Sequence, residues 1–423
     1  MSRPRHPASP ATAQLAAAGP APDGPAAPGP RHGTALCLSG GGYRAALFHL
    51  GAVRRLNELG VLGGLRSISG VSGGALTANL LADSRLVWPD ESGGEVVVKG
   101  FERYVADPLR RLAGHNVRTP ALLAKLWPPR WFMPDSAVRA LAGRLAVAVP
   151  WWAGDLRDNA PDGPAVLTCA TEVAYGVSWI FADPNAVRPH GRVGDYRLGH
   201  ADPPPGLRIA DAVAATCAYP PFFAPQVLNG VEMGLKGGDP GHADPQQHAE
   251  ILRHIELTDG GAYDTLGVEA VWADHATVLV SDGGTVFRAR TTHTVWGQLL
   301  QILGIATSGG QTTRLRWLQA RFAQDALTGA SWSLDAVVPG HYPAATTERI
   351  NAVRTDLDAF SDGLQQVLER HGYLVADQAV REHAPRLIRL DAPLEPPHPQ
   401  VADAKVADGI LRGSSRRTLL GRF

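Results

Sequence analysis

Cysteine is scarce: Cys37, Cys169 and Cys217 are the only three in 423 residues. Their spacing suggests neither a disulfide ladder nor a metal knuckle, and an odd number favours a reducing compartment. An excess of charge is also missing, with 40 basic and 40 acidic residues. That balance removes the case for nucleic acid as the main partner. No stretch approaches ~20 uninterrupted apolar residues, so no segment is read as spanning a membrane. Residues 1–33 are rich in Ala, Pro and Gly. They lack the apolar core of a secretory signal and bury too little surface to offset their ordering entropy. They are read as a disordered tail on a cytoplasmic protein. What remains is 44% hydrophobic, enough for one large domain or two ordinary ones.

Order is expected from Thr34. ALCLS reads as a strand, broken by SGGG, and YRAALFHLGAVRRLNELG as a helix apolar on most sides and therefore buried, with Gly60 placed to end it. RSIS is a second strand, GVSGG a sharp turn and ALTANLLA the start of another helix. Strand, helix, strand, helix points to a parallel crossover. Residues 101–155 read as a helical insertion. PAVLTCATEV, VSWIFAD, HIELTD and ATVLVSD return to strand patterns, the last two each running into Asp-Gly-Gly. Glu348 to His383 reads as a polar amphipathic helix pair, and residues 393–423 as a frayed basic tail. The expected fold is α/β: a central, mostly parallel sheet flanked by helices in three layers, with residues 34–392 as one catalytic domain.

In a parallel crossover the C-terminal ends of neighbouring strands lie side by side, where open α/β sheets bind ligands. The two glycine turns therefore share one edge. Gly70, Val71, Gly73 and Gly74 form a strand-to-helix elbow that exposes Ser72 as a nucleophile. Free amides of the Gly40, Gly41 and Gly42 loop are placed to hold an oxyanion. A dinucleotide site would need a glycine where Ala45 stands and an acid after the second strand, and a P-loop would need Gly-Lys-Ser/Thr. None of these is present.

A serine hydroxyl needs a base, and none of the fifteen histidines has a compelling setting. His49 lies inside the buried helix and reads as a core residue. His242, His248 and His254 recur every six residues, about 600° on a helix, and so share no face for a metal. No metal or cofactor is expected.

G-G-G-x-R after the first strand, G-x-S-x-G after the second, a later D-G-G and the segment AATCAYPPFFAP resemble the patatin-like phospholipases, from about Thr34 to Gly284. Ala45, Thr216-Cys217 and Thr265 depart from that pattern. The resemblance implies a Ser–Asp dyad that hydrolyses lipid acyl esters, with a lipid substrate at a membrane surface and a peripheral membrane location. It assigns the base to Asp259 of the Asp259-Gly260-Gly261 motif, continued by Asp264 and Gly267. Asp282 is read as a plain turn. Such a base must sit in a dry site, since an ordinary aspartate is too weak at neutral pH. Arg44 either steers an anion or anchors the loop. Trp127, Trp131, Phe132, Trp151 and Trp152 form either a lid or a packed subdomain, and Arg412, Arg416, Arg417 and Arg422 a solvated end. Two other readings stay open at the level of sequence: a Ser–His–Asp esterase on soluble esters, and a catalytically silent lipid- or partner-binding protein of the same fold.

Overall fold

A computed structural model describes residues 31–90, 94–124, 133–158, 162–187, 191–284 and 294–414. Most of the expected N-terminal tail lies outside these residues, as do Trp127, Trp131, Phe132, Arg416, Arg417 and Arg422.

The apolar run TALCL forms β1 (Thr34–Leu38) and LRSISGV forms β2 (Leu65–Val71), with α1 (Gly42–Glu58) between them and α2 (Gly73–Leu81) following. The region expected to be a helical insertion holds α3 (Asp107–Ala113), α4 (Arg118–Leu123) and α5 (Ser136–Ala148). Trp152 is fully buried and Trp151 packs against the same core. Next come β3 (Ala165–Glu172), β4 (Val177–Ala182), β5 (Val193–Asp195), β6 (Gly199–Ala201), α6 (Ile209–Thr216), β7 (Gln226–Leu228), α7 (Pro245–Arg253), β8 (Ile255–Thr258) and β9 (Thr277–Asp282). The chain continues with α8 (Val295–Ala323), β10 (Thr328–Ser333), α9 (Ala344–Asn351), α10 (Asp362–His383) and α11 (Ala404–Leu411).

The sheet runs β10-β9-β1-β2-β3-β4-β5-β6, and its central pairings from β10 to β3 are all parallel. Beyond β3 the pairing turns antiparallel. Alternate residues of β1 face opposite layers, as strand periodicity requires. Leu36 and Leu38 join the core under α1, α2, α5, α6 and α10, whereas Ala35 and Cys37 join a second core with Leu318 of α8. The result is three layers, helix on sheet on helix.

One pairing decides where the site falls. β2 lines β3 over Ala165–Cys169, and β4 covers the opposite edge of β3 through Glu172. The two residues at the end of β3, Thr171 and Glu172, also pair antiparallel with β8. With β4 on one side, β8 must lie on the side that β2 has just left. β2 and β8 therefore run towards each other along one edge, and their last residues meet beside Cys169–Thr171.

Two expectations are corrected. The stretch from Pro393 is packed through Ser414. Carbonyls of its proline run accept hydrogen bonds from Arg55 and Arg370, Tyr342 Oη donates to Val401 O at 2.7 Å, and Val401 and Leu411 are buried. The second helix of the pair expected over Glu348–His383 is largely buried: α10 hides Glu369, His371 and Asp377. Gly372 lies so close to α1 that a Cβ there would strike the carbonyl of Phe48.

Candidate active site

Ser72 follows β2 and caps α2 in a backbone conformation, φ 49° and ψ −117°, that few non-glycine residues adopt. The backbone turns sharply there from strand into helix. A Cβ at Gly73 would strike the backbone of Gly42, and one at Gly74 the carbonyl of Leu38. The elbow and the upstream glycine loop are thus in direct contact. Gly70 lies against Ala75 and Ala78, which seats α2 on its own strand, and Val71 is buried in the second core.

Asp259 follows β8 and is 3% exposed. Ser72 Oγ donates to its Oδ2 at 2.8 Å, and the Gly261 amide donates to its Oδ1 at 2.8 Å. Gly260 passes so close to the Cys169 carbonyl that no Cβ fits. Burial pushes the Asp259 carboxyl up to about 6, against the two hydrogen bonds that favour its charged form.

The glycine loop needs one correction. The Gly40 amide donates to Thr265 O at 3.0 Å, so it is already spent in tying the loop to the segment after Asp259. Among the described residues, no backbone carbonyl takes the amides of Gly41 or Gly42. Both glycines have positive φ, 143° and 59°, and Gly41 caps α1. The N-termini of α1 and α2 therefore meet at one edge, a setting that favours negative charge. Arg44 anchors this loop: its guanidinium is buried and donates to the carbonyls of Asn351, Val353 and Gly283.

In the sequence Thr216 stands out only as a departure from the family pattern. It ends α6, accepts the Ser72 amide on its Oγ1 at 2.9 Å and donates to the Cys169 carbonyl. Cys217, the next residue, is buried beside Ser72 and Asp259, and burial followed by the Asp259 charge pushes its thiol up. The sequence signal for both is the AATCAYPPFFAP segment, although no local pattern tells which hydroxyl reaches Ser72. Downstream, Ser69 Oγ donates to Gly267 O at 2.6 Å, and Asp264 accepts the Leu266 and Glu269 amides. This pins the loop after Asp259 against β2.

The other candidates lie apart from the pair. Asp282 closes β9 on the far side of β1, where it accepts from the Gly284 amide, Ser39 Oγ and Gln311 Nε2. His49 bridges Ser281 Oγ and Ser39 O, and burial lowers it to about 4, so it stays neutral. His248 bonds Tyr175 and His254 lies near Glu256. A cavity of about 750 Å³ lined by Arg192, His200, Asp202 and Lys236 lies against β5 and β6 and contains none of the site residues.

The model for patatin-like phospholipases matches residues 36–272, and the chain belongs to that family. Membership supports a lipid hydrolase. Among solved structures, the chain is similar to human GIVD cytosolic phospholipase A2 at 10% identity and TM-score 0.45, covering 91% of this chain and 63% of that one. It is also similar to VipD from Legionella pneumophila, at 15% identity and TM-score 0.32, covering 84% and 68%. The chain thus spans less than two thirds of the human enzyme. No curated protein matches it.

Proposed function

We propose that the chain hydrolyses acyl esters of lipids with Ser72 as nucleophile and Asp259 as general base, and that residues 34–392 are the catalytic unit. The observation that carries this reading is the 2.8 Å hydrogen bond from Ser72 Oγ to Asp259 Oδ2. Among the described residues, no histidine is hydrogen-bonded to Ser72.

As Ser72 Oγ attacks the ester carbonyl, its proton passes to Asp259 Oδ2. The oxyanion forms where the N-termini of α1 and α2 converge, and the Gly41 and Gly42 amides are its donors. Collapse expels the alcohol, which takes the proton back from Asp259 and leaves an acyl–Ser72 ester. Water then attacks that ester and gives a proton to Asp259, which passes it back to Ser72 Oγ as the second tetrahedral intermediate collapses and releases the fatty acid. A carboxyl raised to about 6 is basic enough to accept a proton and still mostly ionised at neutral pH.

Release of fatty acid from phospholipid, and of p-nitrophenol from a short ester, tests this. Ser72→Ala should abolish both while the fold is retained. A folded Ser72→Ala chain that still turns over either substrate would overturn the assignment.

A further inference from the structure

β9 and β10 are parallel neighbours, so α8 is the return crossover between them. Its C-terminal half lies over the sheet, with Leu318 buried and Trp272 edge-on to Trp317. Its middle reaches the strand ends. Gln311 Nε2 donates to Asp282 at 2.6 Å, and Arg314 lies over the Tyr263 ring and beside Asp264 and Glu269. From Gln311 back to Val295 the helix continues for roughly 24 Å at 1.5 Å per residue, past the end of β9. That overhang projects from the same edge of the sheet that holds Ser72 and Asp259.

Among the described side chains the open side of the overhang is mainly apolar, with Gln298 the exposed polar exception. Val295, Leu299, Ile302 and Ile305 follow helical spacing and are 71%, 51%, 61% and 51% exposed. No charged residue occurs from Val295 to Thr313, and no acidic residue anywhere in α8. Further along, Arg316 and Arg321 are exposed, and Arg316 continues the face of Ile302 and Ile305 by helical phase. Among the described residues no helix is long and apolar enough to cross a membrane. A helix with an apolar stripe and only basic charge is instead built to lie in an interface. Self-association through this face would bring arginines together, whereas an anionic bilayer complements them.

We infer that the N-terminal half of α8 is a docking surface for an anionic phospholipid bilayer, seating the Ser72 edge on its substrate. The inference rests on the lipid-hydrolase reading for its biological sense, so its test separates the two. Flotation of the full chain carrying Ser72→Ala measures binding without hydrolysis, on vesicles of phosphatidylcholine with phosphatidylglycerol and of phosphatidylcholine alone. Adding L299Q, I302Q and I305Q should weaken binding at least about tenfold. R316Q with R321Q should weaken it about fivefold or more on the anionic vesicles only. With Ser72 intact, the triple variant should hydrolyse soluble p-nitrophenyl butyrate at the parental rate, which also shows that it is folded. Equal flotation of triple variant and parent overturns the inference. So does a parental dimer in sedimentation velocity that the triple variant abolishes, since a second copy would then cover the face. A parent that hydrolyses the soluble ester but does not float also overturns it, leaving the hydrolase reading standing. A parent inactive on all esters that still floats through α8 sinks the hydrolase reading alone.

Discussion

At Asp259, burial and hydrogen bonding pull in opposite directions. Burial prevails and leaves the carboxyl at about 6. The acid limb of kcat/KM is therefore expected near pH 6, well above that of an exposed aspartate. His49, lowered to about 4, contributes nothing there. Asp259→Asn should cut kcat by about 10²–10⁴, the usual cost of losing a general base. Asp282→Asn should change it little, because that side chain holds a turn. The same shift bears on stability. A raised carboxyl favours the fold while protonated, and this contribution is lost as pH rises through about 6. Asp259→Asn should therefore be more stable than the parent at pH 8, by on the order of 1–3 kcal/mol, with the gap closing by pH 4. Urea denaturation at the two pH values measures it, and an unchanged gap would contradict the buried-charge account. Thr216 acts through Ser72, whose amide it receives. Thr216→Val should lower kcat about ten- to a hundredfold with little change in KM, and Thr216→Ser should restore it. A KM effect that Ser does not rescue would mark Thr216 as packing only.

Two elements create the pair: β2 and β8, approaching head-on along one edge of β3. The sequence makes both strands legible, because RSIS and HIELTD are strand-length stretches that run into turn residues. It does not reveal that β8 runs antiparallel, since nothing local in four residues sets strand direction. The glycine turns were legible for the opposite reason: a positive φ or a backbone contact leaves glycine as the only fit. α8 was invisible to pattern reading. Its overhang is apolar where a soluble helix is polar, and Gly304, Gly309 and Gly310 interrupt it. α10 reads as polar because its partners are remote: Glu369 meets Arg54 and Arg110, 315 and 259 residues upstream. The crossing of α10 on α1 is close enough that Gly372→Ala should cost about 1–3 kcal/mol by forcing the helices apart. A Tm equal to the parent's would show that the crossing can yield.

Across the whole molecule, Glu369 joins separate parts. Its carboxylate receives Arg54 of α1 at 2.9 Å, Arg110 of α3 at 2.8 Å and His398 of the C-terminal segment at 2.8 Å. Burial alone would raise it, but His398 and the two guanidiniums outweigh that and hold it at about 2. Its contribution is therefore complete above the ordinary glutamate range and is lost as pH falls through about 2. Glu369→Gln should cost on the order of 3 kcal/mol at pH 7, because it removes the buried charge that Arg54 and Arg110 share and leaves them only the exposed Glu102. The α1–α10 layer thus supports the glycine loop from behind, while α8 overhangs the front of the same edge. On the proposed reading a serine and an aspartate, without a histidine, make this edge reactive. Fluorophosphonate labelling with the modified residue located by mass spectrometry tests it most directly. The predicted result is one label, on Ser72, formed far more slowly in Asp259→Asn and at the parental rate in His248→Ala, His254→Ala and Asp282→Asn. A label on another serine, or labelling that needs one of those histidines or Asp282 but not Asp259, would contradict the account.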